Sequence, residues 1–170
     1  MRQPSRLDLG DGREVDVVHI RRAVPGDLPA VRRLFRRSSL SNQGDRAALL
    51  ANPEALVLGA DGVAEGRTRL AVTVDGTIVG FATVLGHEDA TLEVEDLFVD
   101  PDRMRQGIAT RLIAHLVEHA RQTSIQYMWV TANPHAYAFY RSVGFAHVRN
   151  VETEFGPASR MELSIADEDA

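Results

Sequence analysis

Residues 91–120, TLEVEDLFVDPDRMRQGIATRLIAHLVEHA, decide the fold. Thr91 to Val99 is rich in β-branched and large apolar residues and reads as a strand, ended by Asp100-Pro101 because proline cannot donate to a ladder. After DRMRQG the period changes. Ile108, Ala109, Leu112, Ile113, Leu116, Val117 and Ala120 recur at helical spacing and mark one buried stripe. A strand, a tight loop and an amphipathic helix therefore follow one another. The first N–H groups of such a helix have no intrahelical acceptor, and its dipole favours negative charge. Gly107 lets an anion approach the backbone, and Arg103 or Arg105 adds charge-assisted hydrogen bonds, so a pyrophosphate suits the loop. The three spaced glycines of a dinucleotide fingerprint are missing.

Toward the N-terminus, RLAVTVD, Asp75-Gly76 and TIVGFATVL form a strand, a two-residue turn and a strand. With Thr91–Val99 they make a meander. Earlier still, Leu28, Val31, Leu34 and Phe35 define a helix capped by Asp27 with Pro29 in its first turn, while Arg32, Arg33, Arg36 and Arg37 face outward and read as solvated. A short helix is expected over residues 44–51 and a first strand over about 15–21; residues 56–67 are glycine-rich and ambiguous. Toward the C-terminus, IQYMWVT is a strand with Trp129 read as core. Asn133-Pro134 then caps a helix that ends at Gly144, and residues 145–152 and 160–165 read as closing strands. Residues 1–13 read as a flexible arm, 14–165 as one domain and the acidic ADEDA, 166–170, as a solvated tail.

The composition narrows the chemistry. The 170 residues contain no cysteine, which removes disulfides, thiolate nucleophiles and thioester intermediates on the protein. All 19 basic residues are arginine, so a Schiff-base mechanism and a P-loop lysine are excluded. A net charge of −5 opposes general affinity for nucleic acid. No apolar run approaches the roughly 20 residues that cross a bilayer, and the N-terminus lacks an apolar signal region, so no membrane partner and a cytoplasmic location are expected.

Paired with the later segment ANPHAYAFYRSVGF, Ala132 to Phe145, the loop resembles the GCN5-related N-acetyltransferase superfamily. Gly107 and Ala109 match the two small positions of its Gln/Arg-x-x-Gly-x-Gly/Ala loop, with Met104 where Gln or Arg is usual. EDLFVDP is similar to its central strand, and the Asn, Ala-x-x-Phe-Tyr and Gly-Phe of the later segment to its second motif. The resemblance spans about residues 71–145. It implies a single α/β domain whose mixed, mostly antiparallel sheet carries helices on both faces, and acetyl-CoA as co-substrate with no metal.

Residue by residue, the resemblance implies that the amides of Met104, Arg105, Gln106, Gly107, Ile108, Ala109 and Thr110 hold the pyrophosphate. The pantetheine arm then runs along Leu97, Phe98 and Val99 like an added strand, Asn133 contacts it, and Tyr140 protonates the departing thiolate. Without the family, Tyr140 reads as a core or cap tyrosine beside Tyr137 and Phe139, and Asn133 as a helix cap. An attacking amine must lose a proton, and Glu95 and Glu93, on one face of the strand by alternation, are the candidate bases, with Asp96 on the other face ranked below them. The base that one branch carries on the following strand is missing, since Met128 stands there. A backbone N–H near Val99 meets the oxyanion.

The acceptor is read as an amine of a small molecule or peptide. Residues 31–51, 86–90 and 152–160 are expected to recognise it, and the outward Arg36 and Arg37 favour a substrate carrying a carboxylate or phosphate. Homodimers are common in the family and are carried as an expectation. Two other readings compete: an idle acyl-CoA-binding module that keeps the loop without needing Tyr140, and a zinc peptidase suggested by HLVEH, His115 to His119. Glu118 and both histidines sit opposite the apolar stripe, which favours a solvated face.

Overall fold

The computed structural model describes residues 7–8, 14–15 and 17–165. In chain order the strands are β1 (Leu7–Asp8), β2 (Glu14–Val15), β3 (Val18–Arg22), β4 (Thr68–Thr73), β5 (Ile78–Gly86), β6 (Thr91–Val99), β7 (Tyr127–Ala132), β8 (Ala146–Thr153) and β9 (Gly156–Ser164). The α-helices are α1 (Leu28–Leu40), α2 (Gln43–Ala51), α3 (Asp61–Ala64), α4 (Ile108–Arg121) and α5 (Tyr137–Ser142), with 3-10 turns at Pro25–Asp27, Pro53–Leu56 and Pro101–Arg103. β1 and β2 pair with each other. The other seven strands form one mixed sheet in the order β3-β4-β5-β6-β7-β9-β8. The remainder of the expected N-terminal arm and the tail 166–170 lie outside the described residues.

By internal contacts the chain groups into two units, 1–82 with 97–112, and 83–96 with 113–170. In the first, β4 is buried along its whole length, and Leu70 and Val72 join Val31 and Leu34 of α1, Ala23, Val63 and Phe81 in one cluster. Phe98 stacks on Phe81 at 5.5 Å and meets Phe35 edge-on at 4.9 Å, offset and T-shaped geometries that suit the ring quadrupoles. α4 takes the other face of β5. A Cβ on Gly80 would stand 2.9 Å from Ile108 Cγ2 and 3.3 Å from Leu112 Cδ1, and adjacent strand residues point to opposite faces. Gly80 and Phe81 therefore turn β5 toward α4 and α1 respectively, which gives the helices on both faces that the resemblance implied.

In the second unit β6 and β7 are parallel, with Thr91, Leu92 and Glu93 opposite Tyr127, Met128 and Trp129. β7 pairs antiparallel with β9, and β9 with β8. The core side of β7 is Met128, Val130 and Ala132, all buried. Trp129 lies between them in sequence and so on the other face, where it is half-buried, correcting its reading as core.

Other expectations shift for local reasons. The strand expected over about residues 15–21 is β3, which begins at Val18, while Val15 belongs to β2, paired with Leu7–Asp8 of the expected arm. Asp27 does not cap α1 with its side chain, because both carboxylate oxygens are held by Arg21 at 2.8 and 2.9 Å and one also accepts from Val24 N at 2.8 Å. α5 begins at Tyr137 and not just after Asn133, since 134–136 form a turn whose Ala136 N–H bonds Asn133 Oδ1 at 2.9 Å. The last strand starts at Gly156, four residues before the expected 160, because its hairpin with β8 pairs Gly156 with Thr153.

Candidate active site

The loop between β6 and α4 is built from Asp100. This buried aspartate donates its N–H to Val79 O at 2.8 Å, accepts from Asp102 N at 2.9 Å through Oδ1, and is ion-paired with Arg37 of α1. Its carbonyl accepts from Arg103 N at 2.8 Å, closing the 3-10 turn. Ser38 Oγ donates to Val99 O at 3.1 Å. The last turn of α1 therefore pins the end of β6 by two adjacent contacts. Sequence reading treated Arg37 as solvated and Asp100 only as a strand stop, because their pairing across 63 positions leaves no local signal.

Beyond the turn, Arg105 and Gly107 adopt left-handed backbone at φ 61° and 77°. Arg111 N is bonded to Gly107 O at 3.0 Å, which leaves the amides of Ile108, Ala109 and Thr110 ahead of the helical ladder. A Cβ on Gly107 would meet nothing within 4 Å, so glycine is required there by conformation and leaves the approach to these amides open. Met104, Arg105 and Thr110 are exposed, Gln106 and Ala109 half-buried, and Ile108 is packed inward beside Gly80. An alternation of left-handed residues before a helix start is an amide concavity suited to phosphate oxygens. Leu97 and Phe98 are half-buried and Val99 is buried at the end of β6.

In the second unit Tyr140 is 5% exposed, with its ring edge-on to Phe139 at 5.2 Å and Phe145 at 5.3 Å. Burial, and secondarily the charge of Asp96, raise its phenol above the usual tyrosine range, so it holds its proton. Tyr137 and Phe139 are only half-buried, so Tyr140 is the residue α5 commits to the interior. Asn133 is exposed and caps its turn, which does not occupy its amide nitrogen in that bond. Glu93 is bonded to His87 Nε2 at 2.9 Å, and the His87 ring lies 5.5 Å from that of Trp129. Glu95 is exposed. Asp96, ranked last from sequence, is the carboxylate whose charge reaches Tyr140. His87 and Glu93 lie six residues apart, on either side of the β5–β6 turn.

Among the described residues no three His, Asp or Glu side chains are grouped so as to hold a metal, and no helix is long and apolar enough to cross a membrane. His119 and Glu118 are exposed on α4.

A mixed sheet with a central strand leading through an amide cradle into a long helix defines an acyltransferase-type fold. The chain belongs to the acetyltransferase (GNAT) family, whose sequence model matches residues 29–145. It is 36% identical over 93 residues to streptothricin acetyltransferase of Streptomyces lavendulae, covering 52% of this chain and 49% of that protein. It is 33% identical over 78 residues to the [ribosomal protein bS18]-alanine N-acetyltransferase of Escherichia coli K12, covering 44% and 51%. The chain thus spans about half the length of the curated relatives it matches. The crystal structure of PaiA N-acetyltransferase from Thermoplasma acidophilum in complex with coenzyme A superposes with a TM-score of 0.68 at 16% identity, over 87% of this chain and 99% of that one, a likeness of fold.

Proposed function

We propose that this protein moves the acetyl group of acetyl-CoA to an amine of a small molecule or peptide by direct attack, in the cytoplasm. The observation that carries the reading is the left-handed backbone at Arg105 and Gly107 ahead of the free amides of α4, a donor set that fits a pyrophosphate. Family membership and the activities for which the two relatives are named support it. In this reading the amides of residues 104–110 hold the cofactor's phosphates, the edge of β6 at Leu97, Phe98 and Val99 receives its arm, and Asn133 orients that arm.

The attacking amine must reach the thioester carbonyl unprotonated. Glu95, exposed, and Glu93, held by His87, are the groups that draw its proton away. Their shared strand face presents them to an acceptor together. A backbone N–H near Val99 meets the tetrahedral oxyanion. Tyr140, kept protonated by its surroundings, gives its phenolic proton to the departing thiolate, so the C–S bond breaks as the C–N bond is completed. No covalent enzyme intermediate is needed, in keeping with a chain without cysteine or lysine.

The test is calorimetric titration with acetyl-CoA followed by free-thiol release with a pooled amine library, for wild type and Tyr140→Phe. Expected are saturable binding in both proteins and thiol release about 10²–10⁴-fold slower in the variant. Binding without thiol release from any amine would favour an idle binding module, and no binding would end the reading.

A further inference from the structure

The sheet face carrying Glu93 is uncommonly charged farther out. Registers align Glu93, Trp129, Glu162 and Ala146 in one row across β6, β7, β9 and β8, and Thr131, Arg160 and Arg149 in the next. Partners in register point to the same face, so all these side chains share it. Arg160 sits over the indole, its Cζ 3.4 Å from the Trp129 ring centroid. Its Nη2 is 3.7 Å from Glu162 Oε1, beyond hydrogen-bonding range. Its Nε is buried and has no hydrogen-bond partner among the described residues.

Two features of this arrangement are costly by themselves. Arg149 stands directly opposite Arg160 on the neighbouring strand, beside the irregularity between His147 and Arg149, and like charges in that relation repel. A buried guanidinium donor without an acceptor is also unfavourable. The like-charge repulsion is relieved by one ligand, an anion between the two arginines. The indole holds the Arg160 guanidinium in place beforehand, which suits the fork geometry with which arginine takes a carboxylate.

We infer that Arg160 and Arg149 bind the carboxylate of the acceptor, so that the substrate class is an amine that also carries a carboxylate. Binding of a carboxylate stands on this geometry alone; that its bearer is the acceptor rests on the acetyl-transfer reading above. Two strands and one row separate the Cα atoms of Glu93 and Arg160, roughly 12 Å from ordinary strand spacing. That span leaves room for the two side chains and the few bonds that link amine and carboxylate in an amino acid. The anionic substrate expected from Arg36 and Arg37 is thereby reassigned, since Arg37 is engaged by Asp100.

Trp129, the one tryptophan of the chain, reports on the site directly. The full-length protein is titrated with each of the common L-amino acids and with the corresponding α-amides, with and without coenzyme A, while indole emission is followed. At least one amino acid is expected to give a saturable change, with its amide at least tenfold weaker. Arg160→Gln should abolish the change. Arg149→Gln, an exposed position that folding tolerates, should weaken it at least fivefold, while Arg149→Lys restores part of it. Absence of any saturable response, or equal responses from acid and amide or in Arg149→Gln, would overturn the inference. Because no acetyl transfer is required, a chain that binds carboxylates here but never acetylates them refutes only the acceptor assignment.

Discussion

Arg37, in the last turn of α1, is ion-paired with Asp100, the buried residue that ends β6. The same carboxylate accepts the Asp102 N–H, so one side chain ties a helix to the turn that precedes the amide cradle. Removing the guanidinium leaves a buried carboxylate held by the Asp102 N–H. Arg37 is itself more than half exposed, so the loss is well below that of a fully buried pair, about 1–2 kcal/mol. Arg37→Ala is expected to melt roughly 2–8 °C lower and to bind acetyl-CoA severalfold more weakly, with Arg36→Ala unchanged in both. Thermal melts and calorimetry decide it, and equal behaviour of the two variants would remove Arg37 from the loop's support.

Two glycines make opposite demands. At Gly80 the added methyl collides with Ile108 Cγ2 and stands 3.2 Å from Phe98 O, so Gly80→Ala must displace the start of α4 and is expected to cost about 1–3 kcal/mol in folding stability. At Gly107 there is space but the backbone is left-handed, and Gly107→Ala should cost only about 1 kcal/mol. Cofactor affinity should reverse that order, falling at least tenfold in Gly107→Ala, whose methyl enters the approach to the amides. Urea denaturation and acetyl-CoA titration of the same two variants measure both quantities. A Gly107→Ala protein that binds as wild type would place the phosphates elsewhere.

Asp27 supplies a pH dependence with a defined sign. The paired hydrogen bonds from Arg21, and then the Val24 N–H, hold its carboxyl below the usual range against an opposing contribution from burial. A carboxyl whose folded value lies below its unfolded one stabilises fully above the unfolded value, near pH 4, and loses that contribution as pH falls through the folded value. The urea midpoint of wild type should therefore exceed that of Asp27→Asn by a constant margin from pH 7 to 5, and the margin should shrink below about pH 4. A margin unchanged down to pH 2.5 would show that the carboxylate's charge contributes nothing.

What the chain discloses on its own follows the range of the interactions. β6 runs from Thr91 to Val99 as its β-branched and apolar content and the Asp100-Pro101 stop indicated, and α4 begins at Ile108 where the helical stripe begins, because both patterns are written in neighbouring residues. Gly107 was legible for the same reason. The side chains that support the loop were not. Asp100 looks like a strand stop until α1 brings Arg37 to it, and Gly80 looks like a neutral strand residue until α4 lands on it. Trp129 was misplaced because an apolar neighbourhood in sequence, Met128 and Val130, is the opposite face in a strand. Asp27 is a suitable cap by type, but Arg21 competes for the same oxygens. Glu93 and Glu95 were identified by alternation, whereas the charge acting on Tyr140 comes from Asp96 between their row and the loop.

The parallel ladder between β6 and β7 involves only Thr91, Leu92 and Glu93 of β6. Among the described residues the β6–β7 register ends at Glu93, and the strand edge beyond it, toward Leu97 and Phe98, is the one that the proposed reading gives to an extended, amide-bearing chain. If that chain is the cofactor, occupancy becomes part of the fold's own free energy. At a ligand concentration 100 times its dissociation constant the native state gains about 2.7 kcal/mol. The lifetime of this protein against unfolding and proteolysis would then rise and fall with the supply of its own co-substrate.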